Sequence, residues 1–169
     1  AGVTFRALSG DDLTAADWDD FYRFYLDTVD RKWGGAYLNR EFFQILHETM
    51  ADKVVLILAD LEGMAIGGAL NLKGGGALFG RNWGSDVPIE FLHFEACYYQ
   101  AIDYAIAHGL ERVEAGAQGE HKIQRGYRPV ETYSAHLIRH PALRDAIDSF
   151  VRRERQMVRE EIAYIDEES

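Results

Sequence analysis

The chain is poor in cysteine: Cys97 is the only one in 169 residues. A lone thiol can close no intramolecular disulfide and build no cysteine-based zinc site, and a reducing compartment is the economical reading. No apolar run approaches the roughly 18 residues that cross a bilayer. The opening AGVTFRALSGDD also lacks the basic-then-apolar pattern of a signal peptide, so the expectation is a cytoplasmic protein without a membrane span. Basic residues are outnumbered, 18 Lys and Arg against 28 Asp and Glu, a net charge of −10. That balance repels phosphate backbones and anionic membranes, and only a local basic patch could reverse it. Absent too are G-x-S-x-G, G-x-x-x-x-G-K-[ST], paired Cys-x-x-Cys and G-x-G-x-x-G, which removes the common hydrolase, NTPase, zinc-ribbon and dinucleotide signatures. Proton transfer with oxyanion stabilisation, needing neither metal nor covalent intermediate, stays compatible, and acyl transfer to an amine is one such reaction.

A hydrophobic content of 47% supplies a core, and a chain of this size buries roughly 70% of its unfolded surface without a staple. A single domain over 1–169 is expected, with no repeat, linker or low-complexity tract. Thr14-Ala-Ala-Asp17 has the form of a capping box, followed by apolar residues at threes and fours from Trp18 to Trp33, an amphipathic helix that Gly34-Gly35 ends. Asn39 caps a second helix carrying Phe42, Phe43, Leu46 and Met50. Three antiparallel strands follow between about 53 and 83, turning at Glu62-Gly63 and Gly74-Gly75-Gly76. Gly67, Gly68, Gly80 and Gly84 in or beside them suggest bulges or the close approach of a ligand.

Pro88 fits the first turn of a long helix in which Phe91, Phe94, Tyr98, Ala101, Ile102 and Ala105 share a face up to Gly109. A short strand at 112–115 then returns to the sheet by a crossover, making it mixed. A polar segment with one helical turn, a strand over Val130–Ile138 and a last helix over about 141–166 complete the order. The fold class is α/β or α+β: a mixed, mostly antiparallel sheet flanked by helices.

The densest chemistry runs from Glu114 to Arg128, beginning at the carboxyl end of a strand, where ligand crevices form in sheets with crossovers. His121, Lys122, Arg125 and Arg128 gather positive charge in an acidic chain, enough for a phosphate, a carboxylate or a developing oxyanion. An exposed loop, its charges solvated or paired with Glu114, Glu120 and Glu131, is the alternative. Gly80-Arg81-Asn82-Trp83-Gly84 closes the third of the three strands. Alternation there sends Arg81 and Asn82 to opposite faces, so that one of them faces a crevice; alternatively Trp83 is core and Arg81 a surface partner. His93 and Cys97 lie four apart, a spacing open to two metal ligands, but with no second Cys or His-rich partner a buried structural pair is expected and no metal.

Arg31-Lys-Trp-Gly34, Ala69-Leu-Asn71-Leu, Gly80-Arg-x-Trp-Gly84, Phe91-Leu-His-Phe-Glu95 with Cys97-Tyr-Tyr-Gln100, and Glu114-Ala-Gly-Ala-Gln-Gly-Glu-His-Lys122 through Arg125-Gly-Tyr127 resemble the FemAB-like proteins of the GNAT acyltransferase superfamily. The resemblance covers almost the whole chain and is to the second of the two GNAT-like halves usual in such proteins. It implies a GNAT-like fold and transfer of an acyl or aminoacyl group to a primary amine of a small molecule or peptide, in peptidoglycan biosynthesis or recognition. Glu114 or His121 is then the base, and Lys122 steadies the reacting carbonyl. Arg81, Trp83, Gln118, Arg125 and Tyr127 bind substrate, the arginines through a phosphate or carboxylate. Acyl-CoA or aminoacyl-tRNA is the donor. Where acetyltransferases hold the CoA pyrophosphate on a glycine-rich loop, however, this chain has Trp83-Gly-Ser-Asp-Val-Pro-Ile-Glu90, with Asp86 and Glu90 opposing an anion. A second GNAT-like half, or a second copy of the chain, is a partner the resemblance admits. A non-catalytic module that binds a cell-wall precursor or a protein is the other function it allows.

Overall fold

The computed structural model describes residues 2–31, 35–116 and 120–168. The chain divides into two compact units, Ala1–Gly116 and Ala117–Ser169.

The first unit is built on one five-stranded sheet in the order β1-β2-β3-β4-β5. Its strands are β1 (Val3–Leu8), β2 (Val54–Leu61), β3 (Met64–Gly74), β4 (Ala77–Ser85) and β5 (Arg112–Glu114). The first four run antiparallel, and β5 joins parallel to β4 through the expected crossover. β2 is buried on both faces, which is why it reads as an unbroken apolar run. Val54, Leu56 and Leu58 face α1 (Ala15–Arg31) and α2 (Arg40–Met50), where Trp18, Phe21, Phe24, Tyr25, Phe43 and Leu46 complete one cluster. Val55 and Ile57 face the other side, with Leu78, Ala96, Ala101 and Tyr104. That side is covered by α3 (Leu92–Phe94), a π-helical turn (Glu95–Tyr99) and α4 (Gln100–Ala107).

Both expected helix starts are present. The Thr14 hydroxyl accepts from the Asp17 amide at 3.3 Å and donates to the Asp17 carboxylate at 2.6 Å, and the Thr14 amide donates to the same carboxylate at 3.0 Å. The Asn39 side chain accepts from the Phe42 amide at 2.9 Å.

Three expectations are corrected in this unit. β1 precedes the helices: it is an edge strand with Arg6 at its middle, a pattern easily read as a tail. Arg6 has a use there, since its guanidinium donates to Asp60 of β2 at 2.6 Å and to Asp17 at 3.2 Å, tying the edge strand to the start of α1. The helix after β4 begins at Leu92, not at Pro88, because the backbone from 85 to 91 makes its own turn and Phe91 is left-handed, φ 65°. Phe91 therefore leaves the expected shared face and is 65% exposed, while the π turn resets the spacing so that Phe94 stacks on Tyr98 at 6.1 Å. Finally, the close approach at Gly84 is made by α1 itself. A Cβ there would lie 2.9 Å from Phe24 Cβ and nearer still to the Phe24 carbonyl.

The second unit holds a 3-10 turn (Glu120–Arg125) and α5 (Pro141–Glu168). The strand expected over 130–138 does not form, because no strand among the described residues pairs with it. Its side chains bond locally instead: Tyr133 donates to Glu131 at 2.5 Å, and Arg159 of α5 donates to Glu131 at 3.0 Å. On α5, Ile147, Val151 and Ile162 are half-buried, whereas Leu143, Phe150 and Val158 are exposed. Among the described residues no helix is long and apolar enough to cross a membrane.

Candidate functional site

β4 and β5 pair only over Ala77↔Arg112, Leu78↔Val113 and Phe79↔Glu114, yet β4 continues to Ser85. Beyond Phe79 no strand among the described residues lies against the edge of β4, which is left as an open seam. A bulge sits at its mouth. Asn71 pairs with Gly80 and Leu70 with Asn82, so Arg81 is an extra residue and the register shifts between Leu70 and Asn71. Simple alternation of Arg81 and Asn82 therefore does not hold. Instead Gly80 falls on the α4 side with Asn71, and Asn82 on the α1 side with Leu70. Asn71 braces the break: fully buried, its side-chain amide donates to the Val55 and Ala69 carbonyls at 3.3 and 3.2 Å.

Arg81 is exposed and makes no hydrogen bond or ion pair with the described residues. The Asn82 Oδ1 is buried without a hydrogen-bond partner. Trp83 packs on the opposite face, edge-on to His93 at 5.5 Å, next to the residues under α3 and α4. Glu114, paired with Phe79, shares the α1 face with Asn82; it is exposed and accepts from Arg112 at 2.9 Å. With Glu114 one strand over and about two strand positions short of Asn82, the two Cα atoms are roughly 9 Å apart. The first unit thus brings together Arg81, Asn82 and Glu114. From sequence Asn82 is only the alternative to Arg81 as the residue that faces a crevice, and the bulge between Gly80 and Asn82 is what decides its face.

His121, Lys122, Arg125 and Tyr127 gather in the 3-10 turn of the second unit and its exit, all half-buried. The Arg125 guanidinium donates to the His121 carbonyl at 2.6 Å, and the Tyr127 amide to the Lys122 carbonyl at 3.2 Å. Burial holds the Lys122 ammonium below the ordinary lysine value. Gln118, and Lys32, Trp33 and Gly34 of the first motif, lie outside the described residues. The Cys97 thiol is pushed up to about 12 by burial, and no group of three metal-ligating side chains occurs among the described residues.

The whole chain, residues 1–169, matches the FemAB-like family of peptidoglycan biosynthesis or recognition. It belongs to that family. The fold is that of the GNAT acetyltransferases. A probable acetyltransferase is similar with a TM-score of 0.55 and 10% identity, over 81% of this chain and 98% of that one. An aminoglycoside acetyltransferase from an uncultured soil metagenomic sample, in complex with sisomicin, gives 0.51 and 16% over 82% and 96%. AAC(6')-Iy, in complex with the bisubstrate analogue CoA-S-monomethyl-acetylneamine, gives 0.51 and 14% over 83% and 100%. Comparison with curated proteins gives no match.

The CoA-containing analogue in AAC(6')-Iy raises the question of what the turn from β4 to α3 offers a pyrophosphate in this FemAB-like chain. Four of its amides are already used. The amides of Asp86, Val87, Ile89 and Leu92 are already given to Ile66 O, Ser85 Oγ, Val87 O and Ile89 O at 3.1–3.3 Å, and Pro88 has none. Asp86 is taken up by Arg23, and Glu95 accepts from Gln100 at 2.9 Å, so no free cation replaces the missing donors within this turn.

Proposed function

We propose that the chain is an N-acyltransferase or aminoacyltransferase that moves an activated acyl group directly onto a primary amine at the seam between β4 and β5. The observation that carries this reading is the open edge of β4 with a bulged, unpaired Arg81 at its mouth and the Glu114 carboxylate on the neighbouring strand. Family membership and the shared fold support it at the level of acyl or aminoacyl transfer.

The amine nitrogen attacks the acyl carbon, forming the C–N bond and a tetrahedral intermediate, and collapse of that intermediate breaks the bond to the leaving group. In sum, R–NH2 and R′CO–X give R′CO–NHR and HX. Glu114 takes the proton that nitrogen sheds, and the leaving group departs with it. The unpaired amides along β4 are donors for the negative carbonyl oxygen of the tetrahedral intermediate. Arg81 holds an anionic group of the donor or acceptor through its planar fork.

The test incubates the whole chain with acetyl-CoA or with aminoacyl-tRNA and a panel of primary amines, reading acylated product by mass spectrometry. Glu114→Gln should lower turnover by about a hundredfold or more, with the unfolding midpoint unchanged because the residue is exposed. Lys122→Ala is a separate arm for the cationic turn of the second unit. Turnover unaffected by Glu114→Gln rejects the base, and ligand binding without product from either donor class leaves a recognition module in place of an enzyme.

A further inference from the structure

We propose that α5 pairs antiparallel with α5 of a second copy of this chain, through a row of apolar side chains that recurs at every seventh residue. The row is Leu143, Phe150, Met157 and Tyr164, and each of the four is 53–66% exposed. Seven steps of an α-helix fall within about 20° of two whole turns, so these side chains form one nearly straight stripe about 32 Å long. The half-buried Ile147, Val151 and Ile162 lie to one side of it. A stripe of that period is matched by another helix, which follows it in a shallow left-handed supercoil. The second unit needs such cover. Among its described side chains none is buried, and a stretch of this size without a core does not offset the entropy of its own ordering.

The order of side chains and of charges points to another α5 running the opposite way. A two-fold axis between Arg153 and Glu154 sets Phe150 level with Met157 of the other copy, and Leu143 level with its Tyr164. Every layer then joins a ring to an aliphatic or thioether side chain, and sulfur against a ring is a favourable contact. Parallel pairing in register would set Phe150 on Phe150 and Tyr164 on Tyr164. Charge separates the two directions further. Residues 141–153 carry three arginines against two aspartates, whereas 154–168 carry two arginines against six acidic residues. Antiparallel pairing lays the basic half on the acidic one and brings Arg139 and His140 level with Glu168 and Glu167, while parallel pairing lays acid on acid. With side chains of about 200 Å² each, the row offers roughly 500 Å² of apolar surface per copy. The stems of Arg153, Glu154, Glu160 and Glu161 beside it bring the pair toward the roughly 800 Å² per partner of a stable complex.

Sedimentation equilibrium of the whole chain tests the pairing, and at about 100 µM a dimer is expected. Phe150→Glu, present twice in the pair, should weaken association by about a hundredfold or more, and Met157→Glu likewise. Both positions are exposed, so each variant should keep its fold, which circular dichroism checks. Direction is read from two double variants. Phe150→Glu with Met157→Lys sets opposite charges face to face only in the antiparallel pair, so it should associate about tenfold more tightly or better than Phe150→Glu with Met157→Glu. A monomeric natural chain overturns the proposal, whatever surface then covers the row. A dimer that survives Phe150→Glu overturns it as well, and double variants of equal affinity overturn the antiparallel arrangement.

Discussion

Gly84 is where α1 comes closest to the sheet, and Gly84→Ala tests whether that approach holds the first unit together. The added methyl would lie within 2.9 Å of three Phe24 atoms, two of them main-chain. A helix backbone cannot rotate aside as a side chain can, so α1 must retreat by about 1 Å to restore ordinary contact, a gap that forfeits roughly a quarter to a half of each dispersion well. The helix buries Trp18, Phe21, Phe24 and Tyr25 against the sheet. At about 2 kcal/mol for each buried side chain, losing around a quarter to a half of that packing costs about 2–4 kcal/mol. Urea unfolding followed by tryptophan fluorescence reads the change, since Trp18 sits in the affected cluster. With a slope of about 2 kcal/mol per molar, the midpoint should fall by about 1–2 M. Two companions grade the argument. Gly74→Ala meets nothing within 4 Å and should be nearly neutral, whereas Gly67→Ala meets Ser85 Cβ and a Trp83 ring carbon at 3.1 Å and should fall between. A Gly84→Ala midpoint no lower than that of Gly74→Ala would refute the reasoning.

At Asp17, burial opposes ionisation, but the Thr14 hydroxyl and amide and the Arg6 guanidinium outweigh it and hold the carboxyl below its ordinary 3.8. A depressed carboxyl adds stability above its unfolded value and loses it as pH falls through the folded one. Asp17→Asn should thus be destabilised at pH 7 by about 1–2 kcal/mol, with the gap narrowing progressively as pH falls below the ordinary 3.8; a gap that stays constant down to acid unfolding would sink the account. Burial raises the Cys97 thiol from 9.0 to about 12, so the folded chain should resist a disulfide reagent at pH 8 and react once unfolded in urea. The same shift means that stability falls as pH rises above about 9, toward the folded value; equal labelling rates folded and unfolded would count against it. CoA alone should not raise the melting temperature at millimolar concentration, because four amides of the β4-to-α3 turn are internally bonded and Asp86 and Glu90 oppose an anion there. A saturable rise would show a phosphate site elsewhere in the chain.

The elements legible in the sequence are those whose determinants are local. The Thr14 and Asn39 caps, the apolar run of β2 and the glycine turns on either side of β3 each specify structure within a few residues, and each forms. β1 was not legible, because an edge strand is defined by its partner: Arg6 is explicable only once Asp60 and Asp17 stand opposite it. The reverse holds for 130–138, whose β-prone residues find no strand among the described residues to pair with and turn to Glu131 and Arg159 instead. The late start of the helix after β4 has a similar origin. Pro88 suits a first helical turn, but the Ser85 hydroxyl captures the Val87 amide and donates to the Ile66 and Val87 carbonyls, making a competing turn that delays the helix to Leu92.

The site was legible in composition and illegible in register. Arg81, Trp83 and Glu114 stand out as residue types, and period-2 alternation was the natural rule for assigning them to faces. The rule fails here through one inserted residue. With Arg81 unpaired, Asn82 moves onto the face of Leu70, and since β5 ends its pairing with Phe79, Glu114 comes to the same face as Asn82. With the Gly80–Asn71 pair kept and no bulge, Asn82 would lie opposite Ala69, under α3 and α4, and away from the face of the Glu114 carboxylate. Gly80 stands opposite Asn71 at the break, and a Cβ there would make only ordinary contacts, 3.7 Å to Asn71 Oδ1 and 3.6 Å to the Glu114 carbonyl, so it is the inserted Arg81 and not the glycine that breaks the register. Arg81, the extra residue of the bulge, thus moves Asn82 onto the face of Glu114 while Trp83 keeps to the face under α3 and α4.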